Sequence, residues 1–131
     1  MKLVGAYLSS AAVFLVMDIV WLGYVAAGLY REQMGPLLAQ PINMPAAVAF
    51  YLLFILGVLI FAVQPALTEG GVMRALMLGA LFGFFTYMTY DLTSLAVIRD
   101  YPLKLAIIDI AWGTTVTAIA AAVGTAVGSR L

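Results

Sequence analysis

Residues 87–95 read YMTYDLTSL, and they place Asp91 and two tyrosines near the end of an apolar segment that opens around Met73. Two other apolar segments carry a similar interruption, MDIVW at residues 17–21 and IDIAW at residues 108–112. Each of the three contains one aspartate inside a run long enough for a helix to cross a bilayer, which takes about 20 residues. The pattern predicts a bundle of membrane helices that brings three acids together.

Composition places the chain among integral membrane proteins. Its 131 residues are 66% hydrophobic and 9% charged, with a mean hydropathy of +1.13, whereas soluble domains are roughly 45–50% apolar and about 25% charged. A water-soluble fold of this size could not bury so much apolar surface, so we expect one transmembrane domain covering residues 1–131. The formal net charge is zero, and no basic patch indicates a nucleic-acid partner.

Two residue types are absent, and their absence narrows the chemistry. The chain has no cysteine and no histidine, which removes thiolate and imidazole ligands as well as the imidazole base. The two glutamates, Glu32 and Glu69, fall in predicted loops, so a di-iron carboxylate site is not expected. We therefore predict no metal, no cofactor and no catalytic residue set, and an enzyme is the least favoured class.

Four spans follow from the apolar runs and the turn residues, at about 3–30, 45–67, 72–98 and 103–128. The first contains Asp18 and is too long for a signal peptide, so we interpret it as a retained span. Residues 31–44 form a polar connection broken by proline and glycine, and its apolar residues suit either an interfacial position or an ordinary loop. The predicted fold is an all-α, up-down-up-down bundle with both termini on one side. Basic residues divide three and three between the two sides, so the positive-inside rule assigns no orientation.

The later spans differ in composition. The second has no charged residue and is rich in phenylalanine and leucine, which predicts that it mainly faces lipid and fills space. In the third, Gly79 and Gly83 have the spacing that lets membrane helices approach closely. The fourth is rich in threonine and alanine, which also indicates a close-packed face rather than a catalytic one.

Depth brings the three aspartates to comparable levels. At a rise of ~1.5 Å per residue, Asp91 and Asp109 lie roughly 10 Å from the side opposite the termini, and Asp18 lies nearer the midplane. A tryptophan follows Asp18 and another follows Asp109 by three residues, which puts ring and acid on one helix face. Ionisable groups inside a bilayer usually face a bundle interior or a cavity. The predicted binding site comprises Asp18, Trp21, Tyr87, Tyr90, Asp91, Thr93, Ser94, Asp109 and Trp112.

An alternative interpretation of the three acids is structural. Each would bond hydroxyls, indole N–H groups or a basic residue and so hold helices together, with Arg99 and Lys104 as cations that could reach inward. Burial and neighbouring carboxylates both favour the protonated form of an acid. We predict that at least one of the three is neutral at neutral pH, with Asp18 first because it lies farthest from Arg99 and Lys104.

Three segments resemble a known family. They are MDIVWLG at residues 17–23, YDLTSLA at residues 90–96, and YPLK at residues 101–104 leading to DIAWG at residues 109–113. They are similar to the M-D-x-x-W-L-G, Y-D-L-T-N-L-A and D-x-x-W-G segments of the domain of unknown function 2177 family.

The resemblance covers nearly the whole chain and implies a small protein of the bacterial inner membrane with no established activity. Ser94 stands where the family pattern has asparagine, so a ligand contact by that amide is not carried over. Some relatives look to be encoded beside enzymes that modify lipid acyl chains, which implies a connection with lipid.

Two functional classes remain. In the first, the acids line a polar cavity that binds or moves a small polar or cationic solute, or protons. Four helices enclose little space, so this function requires a homodimer. In the second, the protein is a non-catalytic, lipid-binding or accessory subunit of a membrane lipid-modifying system, and its partners are membrane lipids or another membrane protein.

Overall fold

The computed structural model describes residues 1–25 and 43–131, and every regular element within these ranges is helical. Helix α1 spans Lys2–Val20 and continues as one wide turn of π-helix at Trp21–Val25. The predicted end of the first span near residue 30 and nearly all of the predicted polar connection at 31–44 lie outside the described residues.

Three further helices complete the described bundle. Helix α2 spans Met44–Thr68, α3 spans Gly71–Val97 and α4 spans Leu103–Gly128. Together with α1 they make four helices that are long and apolar enough to cross a membrane. The all-α fold class predicted from the sequence is therefore confirmed.

The end of α2 and its turn into α3 follow from a few residues. A π-helical turn at Leu59–Val63 precedes Pro65, which lacks an N–H group and whose ring crowds the carbonyl four residues before it. The helix nevertheless continues past this proline, and the Arg74 guanidinium donates to the carbonyls of Pro65 and Glu69, both at 3.1 Å. The Pro65 carbonyl also accepts from the Glu69 N–H at 3.1 Å, so Arg74 is its second donor and ties the end of α2 to the start of α3. Gly70 then reverses the chain at φ 97, in the left-handed region that favours glycine.

Small residues let α3 and α4 approach closely. At Gly79 an added Cβ would lie 2.8 Å from the Ala121 Cβ and 2.9 Å from the Thr117 carbonyl oxygen. One turn further along α3, Gly83 packs on the backbone of Gly113, which comes earlier on α4, so the two helices are antiparallel. No side chain larger than hydrogen fits at these glycines without movement, as their spacing predicts.

Helix α4 lies at the centre of the bundle and contacts each of the other three helices. On its α1 side, Ser10 donates its hydroxyl to the Ala120 carbonyl at 2.9 Å, and Gly128 lies against Ala6. Higher numbers on α1 therefore meet lower numbers on α4, and the two chain ends lie at the same end of the bundle. The opposite end contains the aspartates.

The prediction that α2 mainly faces lipid is only partly right. Its Leu52 and Leu53 side is exposed, but Phe54 and Ile55 are buried and Tyr51 contacts α1. The absence of charge concealed this inward face, because a tyrosine hydroxyl can serve a buried acid without carrying any charge of its own.

Candidate functional site

A cavity of about 510 Å3 lies among the four described helices, toward the end opposite the termini. Two of its lining residues, Asp18 and Asp109, are acidic, and none of those described is basic. The site combines an apolar, largely aromatic enclosure with two carboxyl groups. The other lining residues are Trp21, Leu22, Phe50, Tyr51, Phe54, Thr86, Tyr87, Tyr90 and Tyr101.

Asp18 joins three helices. It ends the buried face of α1, which recurs every four residues as one face of a helix must. One carboxylate oxygen accepts a hydrogen bond from the Tyr51 hydroxyl of α2, and the other accepts from the Trp112 indole N–H of α4 at 3.2 Å. Both oxygens of a residue that is only 7% exposed are thereby satisfied. Asp18 thus holds helices together through a hydroxyl and an indole N–H group, as the alternative interpretation predicts for all three acids.

The two tryptophans form one stacked pair. The rings of Trp21 and Trp112 are nearly parallel, at 6°, with centroids 4.4 Å apart. Trp21 opens the π-helical turn at the end of α1, and its indole N–H is buried without an acceptor among the described residues. A buried donor without an acceptor is unfavourable.

Asp91 lies behind the cavity wall and is fully buried, at 0% exposure. The Tyr101 hydroxyl donates to Oδ1 of Asp91 at 3.0 Å, while Oδ2 has no conventional donor in the described part of the chain. The Asp109 carboxyl is within hydrogen-bonding reach of the Asp91 carboxyl. Since an ionised carboxylate can only accept, a hydrogen bond between two carboxyl groups requires a proton on one of them.

The cations considered for these acids lie at the surface. Arg99 and Lys104 are both exposed, and no lysine or arginine of the described residues pairs with Asp91. Asp91 therefore has neither Arg99 nor Lys104 as its partner in the described part of the chain. A phenol and a second carboxyl occupy the place that a cation would take.

Tyr101 supplies the phenol from the turn between α3 and α4. It is 6% exposed, and burial raises the pKa of its hydroxyl above the ordinary value, with further increases from neighbouring Tyr90 and Asp91. The hydroxyl therefore keeps its proton and continues to donate to Asp91.

Gly113 positions Tyr87. An added Cβ at Gly113 would overlap the Tyr87 ring atoms Cγ, Cδ1 and Cδ2, so the ring lies directly against the α4 backbone. The ring also meets Phe54 edge-on, at a centroid distance of 6.0 Å. The glycine of the DIAWG segment thus gives the cavity one of its aromatic walls.

The predicted site residues fall into three groups. Asp18, Trp21, Tyr87, Tyr90 and Asp109 line the cavity. Asp91 and Trp112 stand directly behind it, each bonded to a residue of the lining. The remaining two are elsewhere: Thr93 is exposed and donates to the Thr89 carbonyl of its own helix, and Ser94 is buried away from the cavity.

Sequence reasoning missed the residues that complete the site. They are Leu22, Phe50, Tyr51, Phe54, Thr86 and Tyr101. Tyr51 stands out only as a phenol in a charge-free span, and Tyr101 only as an aromatic residue in a short turn. Neither signal identifies the acid that the hydroxyl meets.

Comparison with known families supports the resemblance of the three quoted segments. A family model described as Predicted membrane protein (DUF2177) matches residues 3–126, a range that includes every acid and aromatic residue of the cavity. No curated protein and no solved structure matches the chain. The chain belongs to the DUF2177 family of predicted membrane proteins.

Proposed function

We propose that this integral membrane protein binds a small organic cation in the cavity between its helices and moves it across the membrane. The observation that carries the proposal is the lining, in which Asp18 and Asp109 sit among aromatic rings with no basic side chain among the described residues. Carboxylates attract a cation directly. Aromatic faces add cation–π attraction, about 2 kcal/mol or more where water is excluded.

The same lining favours an organic cation over an inorganic one. Among the described residues, no group of three or more acidic side chains could surround a metal ion, and Mg²⁺ and Ca²⁺ require several oxygen ligands. A volume of about 510 Å3 falls within the roughly 300–1,000 Å3 of small-molecule pockets, which are mostly apolar with a few polar groups. An anion would meet two acids and is disfavoured.

Helix packing alone explains Asp18 better than it explains the other two acids. A buried ionic or acidic group is often replaceable by apolar residues of similar volume without loss of stability. The contact between Asp91 and Asp109 adds a second carboxyl where an apolar residue would pack more favourably. This supports a binding role for the cavity beyond that of a helix junction.

Binding is tested with the protein in lipid nanodiscs and benzyltrimethylammonium as the probe. The neutral control is (2,2-dimethylpropyl)benzene, which has the same shape with carbon in place of the charged nitrogen. We expect saturable binding of the cation alone, measured by quenching of the stacked tryptophans. Asp109→Asn should weaken binding at least about tenfold, equivalent to 1.4 kcal/mol.

The matched control variant is Asp100→Asn. Asp100 is exposed in the turn between α3 and α4 at φ 61, a backbone conformation that asparagine tolerates. It should bind the probe like the unmodified protein. Equal binding of the neutral compound would contradict the proposal and favour a lipid-binding site instead.

Movement is tested in liposomes that contain only this protein. Uptake of the same probe would support the proposal. So would a homodimer detected by cross-linking, since a bundle of four helices encloses little space on its own. The proposed location is the bacterial inner membrane. Absence of uptake, with co-purification of a lipid-modifying enzyme, would favour an accessory subunit in which the acids hold helices together.

A further inference from the structure

We propose further that Asp91 and Asp109 share one proton in the resting protein and release it when a cation binds beside Asp109. The resting proton follows from the acid pair itself. Its release rests on the proposed function, because it requires that a cation enter the cavity.

Asp91 has one carboxyl oxygen that receives no conventional hydrogen bond in the described part of the chain. This side chain is fully buried, and its Oδ2 has no conventional donor in the described part of the chain. The neighbouring group is the Asp109 carboxyl, which can donate only when protonated. One proton held between the two carboxyl groups satisfies Asp91 Oδ2 and removes one of two like charges from the interior.

Asp18 differs from this pair in its hydrogen bonding. Each Asp18 oxygen already accepts a hydrogen bond, one from Tyr51 and one from Trp112, which is the arrangement that an ionised carboxylate needs. The geometry therefore assigns the neutral acid to the Asp91–Asp109 pair rather than to Asp18, the residue expected from distance to the surface cations.

The other groups near the pair add no positive charge in the described part of the chain. The titratable groups that share its cavity or contact it are Asp18 on α1, Tyr51 on α2, Tyr87 and Tyr90 on α3, and Tyr101 in the turn before α4. Arg99 and Lys104 are exposed.

Asp109 is the member of the pair that lines the cavity. Asp109 lines the cavity and Asp91 does not, so a cation reaches the pair through Asp109. A positive charge beside Asp109 stabilises the ionised form of the pair, and the shared O–H bond breaks to leave two carboxylates. Tyr101 contacts Asp91 and Tyr90, and Tyr90 is 55% exposed, so the pair lies near the surface to which the proton is released. One proton leaves as one charge enters, so the net charge of the site is conserved.

The resting proton is tested by infrared spectroscopy of the full protein in nanodiscs. At neutral pH we expect a protonated-carboxyl C=O band that shifts in D2O, is lost in Asp91→Asn, and is retained in the matched control Asp100→Asn. No such band in the unmodified protein, or a band that persists in Asp91→Asn, would overturn the shared proton whether or not any cation binds.

Proton release is tested by calorimetric titration with benzyltrimethylammonium in buffers of different ionisation enthalpy. This quaternary ammonium carries no titratable proton, so any released proton comes from the protein. Proton linkage predicts release of about one proton per bound cation, and an apparent Kd that falls up to about tenfold per pH unit as pH rises. Binding without release would overturn the coupling and leave the proposed function intact. Absence of binding would refute the proposed function and the coupling together, while the infrared band still decides the resting proton.

Discussion

Gly79→Ala should destabilise the protein through the α3–α4 interface. The added Cβ would lie 2.8 Å from the Ala121 Cβ, 2.9 Å from the Thr117 carbonyl oxygen and 3.0 Å from the Ala118 Cα. Carbon atoms in favourable contact are about 3.5–4.0 Å apart, so α3 must retreat by roughly 0.7 Å or more. Two of the three obstructing atoms are backbone, which means that α4 cannot yield by changing a rotamer. Overpacking of this kind costs about 1–3 kcal/mol.

The assay is unfolding of the purified protein by SDS, followed by the fluorescence of Trp21 and Trp112. The matched control is Gly23→Ala, because an added Cβ at that exposed glycine meets no atom of the described residues within 4 Å. Both changes gain the same helical preference of alanine over glycine, about 0.5–1 kcal/mol, so their difference isolates the overlap. We expect Gly79→Ala to be less stable than Gly23→Ala by about 1–3 kcal/mol. Equal stability of the two variants would refute the close approach of α3 and α4 at Gly79.

Three further predictions use the same preparation. Tyr101→Phe should lower the free energy of unfolding by about 1–3 kcal/mol at neutral pH, because a buried carboxyl loses its donor. Since the pKa of Tyr101 is raised in the folded protein, this contribution is complete below the ordinary value of 10.0 and is lost as pH rises above it. The SDS unfolding curves of the two proteins should therefore converge in alkali, and a constant difference would contradict the hydrogen bond from Tyr101 to Asp91. Asp18→Asn should lose about 1–3 kcal/mol in the same unfolding assay, because an NH2 group replaces one of the two oxygens that accept from Tyr51 and Trp112, which leaves one donor without its acceptor. Unchanged stability would contradict this role of Asp18. The chain has no native cysteine, so single introduced cysteines can be labelled selectively with a membrane-impermeant reagent. Cysteines that replace Lys2 and Arg130 should react from one side of the membrane, and a cysteine that replaces Asp100 should react from the other. Reaction of the cysteines at positions 2 and 130 from opposite sides would contradict the four-helix bundle.

The candidate site was predictable to the extent that its residues are unusual in a membrane helix. Asp18, Asp91 and Asp109 are identifiable because a charge within a bilayer must find a polar environment. Tyr51 and Tyr101 were not predicted, because tyrosine is also enriched at the membrane–water interface, where it needs no buried acid as a partner. The shared level of the three acids followed from helical rise alone, whereas their hydrogen-bond donors did not.

The amino-acid sequence by itself determined the membrane class, the four spans and the inward faces of the three helices that carry an acid. Apolar composition leaves no soluble alternative, and the four-residue recurrence of Gly79, Gly83, Tyr87 and Asp91 defines one face of α3 whatever its neighbours are. The family match over residues 3–126 agrees with this assignment.

Only the tertiary structure decided which acid meets which partner. Trp112 follows Asp109 by three residues, yet its indole donates to Asp18, and the second carboxyl beside Asp91 is that of Asp109. Periodicity sets the direction of a side chain around its own helix, but the rotation and offset between helices come from packing. In this protein the glycines at the α3–α4 contact and the small residues of α4 set that offset, because they let backbones touch at one register and no other.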